Sequence, residues 1–306
     1  MDARTINDKL YKSVADMIQV YPVNNLRASN IGHPCERYLY LQLTNWEDIK
    51  PHDAGLQSIF NLGNTLEDFT IENIKRAGFE VITPTYRSFR VEVKGGYISG
   101  REDIRIKDEN GYLLPVEIKG LSPFVYDKLN CVDDFLNHPA SHVRGYPAQL
   151  LIYMLHFGKD KGFFALTNKL SGETKFIDVD LDYDLAESYL SKAERIYEAV
   201  EKKELPPACD DIRVCERCNL AHICGNQKRQ ETDIEIDGEL DSLINRKNEL
   251  ADAKREYEQV DKQIKAIVGN REKILTGEYL IERSTYIRKA FTVEEKEQSR
   301  IKIRRL

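Results

Sequence analysis

At 306 residues, 41% of them hydrophobic, the chain is long enough for one large domain or two modest ones and too apolar to be disordered. Its 51 acids against 45 bases leave a net charge of −6, so any contact with nucleic acid must come from a local basic groove. The longest apolar runs are far too short to cross a bilayer, the start MDARTINDKL lacks a secretory apolar stretch, and six cysteines are too few for a disulfide scaffold.

Residues 1 to about 78 read as helical, with a long helix from Asp53 to Ala77 whose apolar face carries Leu56, Phe60, Leu66, Phe69 and Ile74. From 79 to 120 the period changes. Phe89, Val91 and Val93 alternate, then Ile104 and Ile106, then Leu114, Val116 and Ile118, with turn signals at Gly95-Gly96 and Asn110-Gly111. That pattern predicts a meander of three strands. A helix over His142–Phe157 follows, then strands over Gly162–Thr167 and Lys175–Asp180 and a helix from Asp184 to Lys203, broken by Pro206-Pro207.

Beyond Asp233 the chain turns charged and heptad-like. Leu243, Leu250, Tyr257 and Ile264 recur every seven residues, with Ala253, Val260 and Ile267 interleaved. This predicts a helical hairpin arm or a coiled coil, offering a surface for self-association or a recombination partner, with a long helix packed on its own domain as the alternative. A strand pair around Tyr279–Ile281 and Tyr286–Arg288 and a basic tail at Arg300, Lys302, Arg304 and Arg305 complete the chain. Three segments result: 1–230, 231–270 and 271–306.

The sharpest chemistry lies in the meander. Asp103 opens one strand, and Glu117 and Lys119 lie two apart on the next, so they share a face. A turn at Asn110-Gly111 brings Asp103 beside Glu117. Two carboxylates and a strand carbonyl, that of Ile118, are the oxygen donors Mg²⁺ or Mn²⁺ prefers, and a lysine alongside can stabilise charge developing on a phosphate. An isolated E-x-K is ordinary strand chemistry; its company distinguishes it. Gln149 and Tyr153 share a helix face at i, i+4, and Glu67 offers a third carboxylate.

The order Gly63…Glu67, Gly100-x-x-Asp103, Glu117-x-Lys119, Gln149-x-x-x-Tyr153 resembles the RecB-like branch of the PD-(D/E)XK nucleases. The resemblance implies an α/β fold, a central mixed β-sheet flanked by helices. It implies catalytic roles for Asp103, Glu117 and Lys119, a supporting Gln149–Tyr153 helix, and a metal held by Glu67, Asp103, Glu117 and Ile118. Many members have histidine where Glu67 stands.

Cys215-x2-Cys218-x5-Cys224 follows the proline pair, Cys209 lies six residues before Cys215, and Cys35 stands far upstream. Close thiols of this kind suit either a [4Fe–4S] cluster or a Zn²⁺ knuckle. Iron–sulfur nucleases of the RecB-like group, among them CRISPR-associated adaptation exonucleases and AddB-type subunits, place one cysteine before the core and three after it. The resemblance therefore assigns a [4Fe–4S] clasp to Cys35, Cys215, Cys218 and Cys224; Cys209 does not match, and Cys131 is read as structural.

Candidate phosphate contacts are Arg37 and Arg144, followed by Arg87, Arg101 and Lys128; Tyr38, Tyr40, Tyr126 and Tyr146 are candidates to stack on single-stranded bases. The C-terminal third is similar to a module on phage recombination exonucleases of the YqaJ group, through Gly277-Glu-Tyr279-Leu-Ile281. The expectation is a cytoplasmic, metal-dependent DNA exonuclease acting on single strands or free ends in phage or mobile-element recombination. Its rivals are a catalytically silent subunit and a zinc-knuckle assembly protein.

Overall fold

A computed structural model of the chain describes residues 2–83, 88–226, 238–277 and 279–283, in two compact units, 1–236 and 237–306. In the first unit the order is α1 Ala3–Ala15, β1 Leu26–Arg27, α2 Ala28–Ile31, α3 Glu36–Thr44, α4 Ala54–Arg76, β2 Val81–Ile82, β3 Phe89–Val93, β4 Gly96–Gly100, β5 Ile104–Lys107 and β6 Leu113–Leu121. Then come α5 Pro123–Lys128, α6 Val132–Leu136, α7 Ser141–Arg144, α8 Tyr146–Phe157, β7 Lys161–Asn168, β8 Thr174–Asp180, α9 Tyr183–Lys202, α10 Ile212–Glu216 and α11 Ala221–Cys224.

The central sheet runs β2-β5-β6-β7-β8 and is mixed: β6 and β7 are parallel and every other pair is antiparallel. The β5–β6 hairpin is made by its own turn chemistry. Asp108 accepts from the Asn110 and Tyr112 amides at 2.9 and 2.7 Å, and Gly111 takes a left-handed φ of 84°. A parallel β6–β7 pair needs a crossover, and α5–α8 supply it.

Alternation along the strands sorts the two sheet faces. Val116, Ile118 and Ala165 pack with Ile71 and Ile74 of α4, while Phe164 and Leu166 share a core with the apolar face of α8. The sheet thus sits between α4 on one face and α8 on the other, and α9 packs on α8 and on β3 and β4. Glu117 and Lys119, out of phase with Val116 and Ile118, turn toward the α8 side.

The three-strand meander is not what forms. Residues 89–93 pair with 96–100, a strand absent from the sequence reading, and these join β1 in a separate sheet, β1-β4-β3. Only β5 and β6 enter the central sheet. The helix expected over 142–157 is interrupted at Gly145, because Pro147 has no amide to continue the ladder. The gap is used: a β-carbon on Gly32 would lie 2.6 Å from Gly145 Cα, so α2 and α8 meet through bare backbone.

The α4 helix starts where expected, with Asp53 accepting from the Leu56 amide at 2.8 Å, but its buried face differs. Thr70, Ile71 and Ile74 are buried, while Leu56, Phe60 and Phe69 are 41%, 49% and 43% exposed. Only the C-terminal half of the helix lies on the sheet.

In the second unit, α12 Gly238–Val268 is one uninterrupted helix and no hairpin, since residues 239–268 contain neither glycine nor proline. Leu243, Leu250, Tyr257, Val260, Ile264 and Ile267 are all exposed. The expected strand at 279–281 forms as β10 Leu280–Glu282, but its partner is β9 Lys273–Leu275. Residues 286–288, the basic tail and Arg87 lie outside the described residues. Among the described residues no helix is long and apolar enough to cross a membrane.

Candidate active site

The site forms where β5 parts from β6. Their register ends at Ile104↔Val116, whereas β6 continues beside β7 as far as Leu121↔Asn168. The unpaired edge of β6 is taken by a side chain: the Ile118 amide donates to Asp103 Oδ2 at 2.8 Å. Asp103 is thereby fixed one residue before β5, beside Glu117.

Glu117 is wholly buried. Its Oε1 accepts from Lys119 Nζ, and its Oε2 finds no hydrogen-bond partner among the described residues. Burial, reinforced by Asp103, pushes the Glu117 carboxyl up to about 8. Asp103 is raised by burial, and Glu67 by burial and by Asp103. Burial alone would lower the Lys119 ammonium, but Glu117 and Asp103 outweigh it and hold it above its ordinary value. Three carboxyl groups are therefore gathered near one ammonium, with one oxygen unsatisfied.

A relay of side chains fixes Lys119 from the α8 side. Lys119 Nζ donates to Gln149 Oε1 at 3.4 Å, Gln149 Nε2 to the Tyr153 hydroxyl at 2.6 Å, and that hydroxyl to the Arg101 carbonyl at 2.8 Å. Tyr153 is only 1% exposed and lies edge-on to Phe89, so it braces the site from the core. Gly100 is needed for this: a β-carbon there would sit 2.6 Å from Phe89 Cζ and 3.0 Å from Tyr153 Cε1.

Beside the relay lies an open groove lined by Arg27, Ser29, Ser88, Ser99, Gly100, Arg101, Gln149 and Tyr153. Arg27 gave no signal in the sequence, since a two-residue strand has no pattern. Arg101 did stand within the Gly100-x-x-Asp103 motif.

Arg37 and Arg144 are committed to the protein's own carbonyls. Arg37 donates to Pro206 and Cys224 oxygens at 2.7 and 2.9 Å, and Arg144 to His138 and Pro139 oxygens at 2.8 and 2.9 Å. Of the tyrosines, Tyr38 bonds Gln42 and is held at about 12 by burial, and Tyr146 carries Lys119 Nζ 5.1 Å over its ring. Tyr40 packs on the core, Lys175 lies over Tyr126 at 4.5 Å, and Lys128 lies over Phe124 at 3.4 Å.

A second cavity is lined by Cys35, Cys209, Cys215, Cys218 and Cys224, with His33 and Tyr38. Cys209 belongs to it as fully as the other four. Five thiols on an apolar wall are a donor set suited to a thiolate-bound group. Among the described residues, however, no group of three or more His, Cys, Asp or Glu is placed to hold a metal ion as it stands. Cys131 is elsewhere, at the N-cap of α6.

No family model and no curated protein sequence matches the chain. Solved structures share part of its path. The protein SSO0001 is 18% identical, with 72% of this chain and 96% of that one covered and a TM-score of 0.45. The alkaline exonuclease LHK-Exo from Laribacter hongkongensis is 12% identical (64% and 94% covered, TM-score 0.42). A phage-related exonuclease from Haemophilus somnus 129PT is 14% identical (60% and 97% covered, TM-score 0.38). These likenesses are of chain path alone, at identities too low to transfer a residue's role.

Proposed function

We propose that the chain is a metal-dependent DNA exonuclease with its active site at Asp103, Glu117 and Lys119. The observation that supports this reading is the wholly buried Glu117, whose Oε2 has no hydrogen-bond partner among the described residues and is open to a cation. Glu67, Asp103, Glu117 and the Ile118 carbonyl would hold Mg²⁺ or Mn²⁺, an all-oxygen set suited to a hard ion. Such an ion would withdraw charge from the phosphate and acidify an attacking water.

The protein's own residues do the rest. Lys119 sets its ammonium against charge developing on the phosphate, and Gln149 and Tyr153 keep it in place. Arg27 and Arg101 in the groove take neighbouring phosphates, the role read from sequence for Arg37 and Arg144. Water adds to phosphorus and gives up a proton, the P–O bond opposite it breaks, and the departing oxygen takes up a proton.

The thiol cavity suits a [4Fe–4S] cluster on Cys35, Cys215, Cys218 and Cys224, acting as a structural clasp between α3 and the loop after α9. A zinc site is the second reading, favoured by Cys209 as a further donor in the same cavity. Iron and sulfide content, against zinc content, separates the two.

The setting we propose is processing of DNA ends during phage or mobile-element recombination in the cytoplasm. The test is digestion of end-labelled single- and double-stranded DNA with Mg²⁺, Mn²⁺ or EDTA, by the parent and by Lys119→Ala. Cleavage by the parent alone, abolished by EDTA, is expected. Equal digestion by both proteins would overturn the assignment.

A further inference from the structure

Between Gly100, which ends β4, and Ile104, which opens β5, a link over residues 101–103 carries the chain from one sheet to the other. Each of its residues is tied to a different element. The Arg101 carbonyl accepts from Tyr153 of α8 at 2.8 Å, and Asp103 accepts from the Ile118 amide of β6 at 2.8 Å. Glu102, between them, turns back on its own strand, where its Oε1 lies 2.9 Å from Arg105 Nε.

That contact departs from strand alternation. Ile104 and Ile106 pack on the α4 side of the sheet, so Arg105 faces α8, and its guanidinium lies 4.8 Å over the Phe157 ring. In a regular strand residue 102 would share the side of Ile104, not that of Arg105. Glu102 reaches Arg105 because the chain bends at Asp103. The same bend takes Asp103 out of the run of β5, and its carboxylate covers the β6 edge that β5 leaves open.

Stability does not account for the pair. Glu102 is only 4% exposed, and its Oε2 has no hydrogen-bond partner among the described residues. Arg105 Nε is near enough to Oε1 for charge attraction but makes no hydrogen bond there, and burial raises the Glu102 carboxyl further than Arg105 lowers it. A buried carboxylate answered this incompletely adds little over apolar groups of the same volume. What the pair fixes is a direction.

We propose that Glu102 is a positioning residue: its ion pair with Arg105 holds the bend that turns Asp103 toward the Ile118 amide and toward the cation that the carboxyl groups would share. The inference rests on the nuclease reading for the cation, and on the Asp103 geometry alone for the clamp.

The test is amide hydrogen exchange of the full chain in EDTA, followed by calorimetric titration with Mn²⁺. The proteins are the parent, Glu102→Gln, and Glu102→Gln combined with Arg105→Met; both substitutions keep the bulk of the side chain and remove its charge. The Ile118 amide reports the Asp103 carboxylate directly. Its exchange should quicken about tenfold in either variant while the amides of β7 keep their parent rates. Affinity for Mn²⁺ should fall about tenfold, the loss expected when a metal ligand's support is removed. The double variant should unfold in urea no earlier than the parent. Ile118 exchange that is unchanged, or that quickens only together with β7, would overturn the proposal. A parent that binds no Mn²⁺ while Ile118 still responds would sink the nuclease reading and leave the clamp standing. Mn²⁺ binding with an unmoved Ile118 would do the reverse.

Discussion

Lys119 and Gln149 approach from different layers of the fold, one on β6 and one on α8, and meet at 3.4 Å. The lysine is also bonded to Glu117 on its own strand, so its position is set from two sides. Gln149→Ala removes the α8 constraint while leaving the charge. Turnover at saturating DNA should fall about tenfold while affinity is kept, against a loss of about a hundredfold or more for Lys119→Ala. Steady-state rates on a labelled strand measure both.

Glu117 is a burden to the fold when no cation is present. Burial and Asp103 both oppose its ionisation, so Glu117→Gln should raise the melting temperature in EDTA by a few degrees while abolishing cleavage. Mn²⁺ should stabilise the parent by mass action and leave the variant unchanged. Thermal unfolding with and without Mn²⁺ checks both statements. A variant less stable than the parent in EDTA would contradict this account.

Arg37 ties α3 to the cysteine loop. Arg37→Ala leaves the Pro206 and Cys224 carbonyls without their donor, at a cost of about 2–3 kcal/mol, read from urea unfolding. Affinity for DNA per folded molecule should not fall.

Gly100→Ala places a methyl against Phe89 and Tyr153. The Tyr153 hydroxyl must then leave the Arg101 carbonyl, so activity should drop about tenfold or more with only a modest loss of stability. Comparing kcat with the unfolding midpoint separates the two effects.

The exposed heptad seam of α12 has the pattern of a helix that pairs with another. Leu250→Glu together with Ile264→Glu should convert a self-associated chain to monomer, as measured by sedimentation. Unchanged mass in a parent that self-associates would remove the seam from the interface.

Local pattern made much of this legible. Glu117 and Lys119 share a face by strand alternation, the Asp108 turn brings Asp103 alongside, and α4, α9 and the β7–β8 hairpin lie where periodicity put them. What failed depended on distant partners. Residues 89–93 alternate equally well in either sheet, and only their pairing with 96–100 decides between them. The face of α4 was blurred because one apolar stripe serves the core at one end and leaves it at the other. The acceptors of Arg37, 169 and 187 residues away, left no local signal.

That separation bears on synthesis. A ribosome must release nearly the entire first unit before Arg37 can reach the Cys224 carbonyl, so α3 waits unanchored while the sheet is being made. Truncated products ending before the cysteine loop would hold every residue of the carboxylate–lysine centre yet lack the latch that closes the unit. Incomplete chains should thus be open to proteases for as long as that latch is missing.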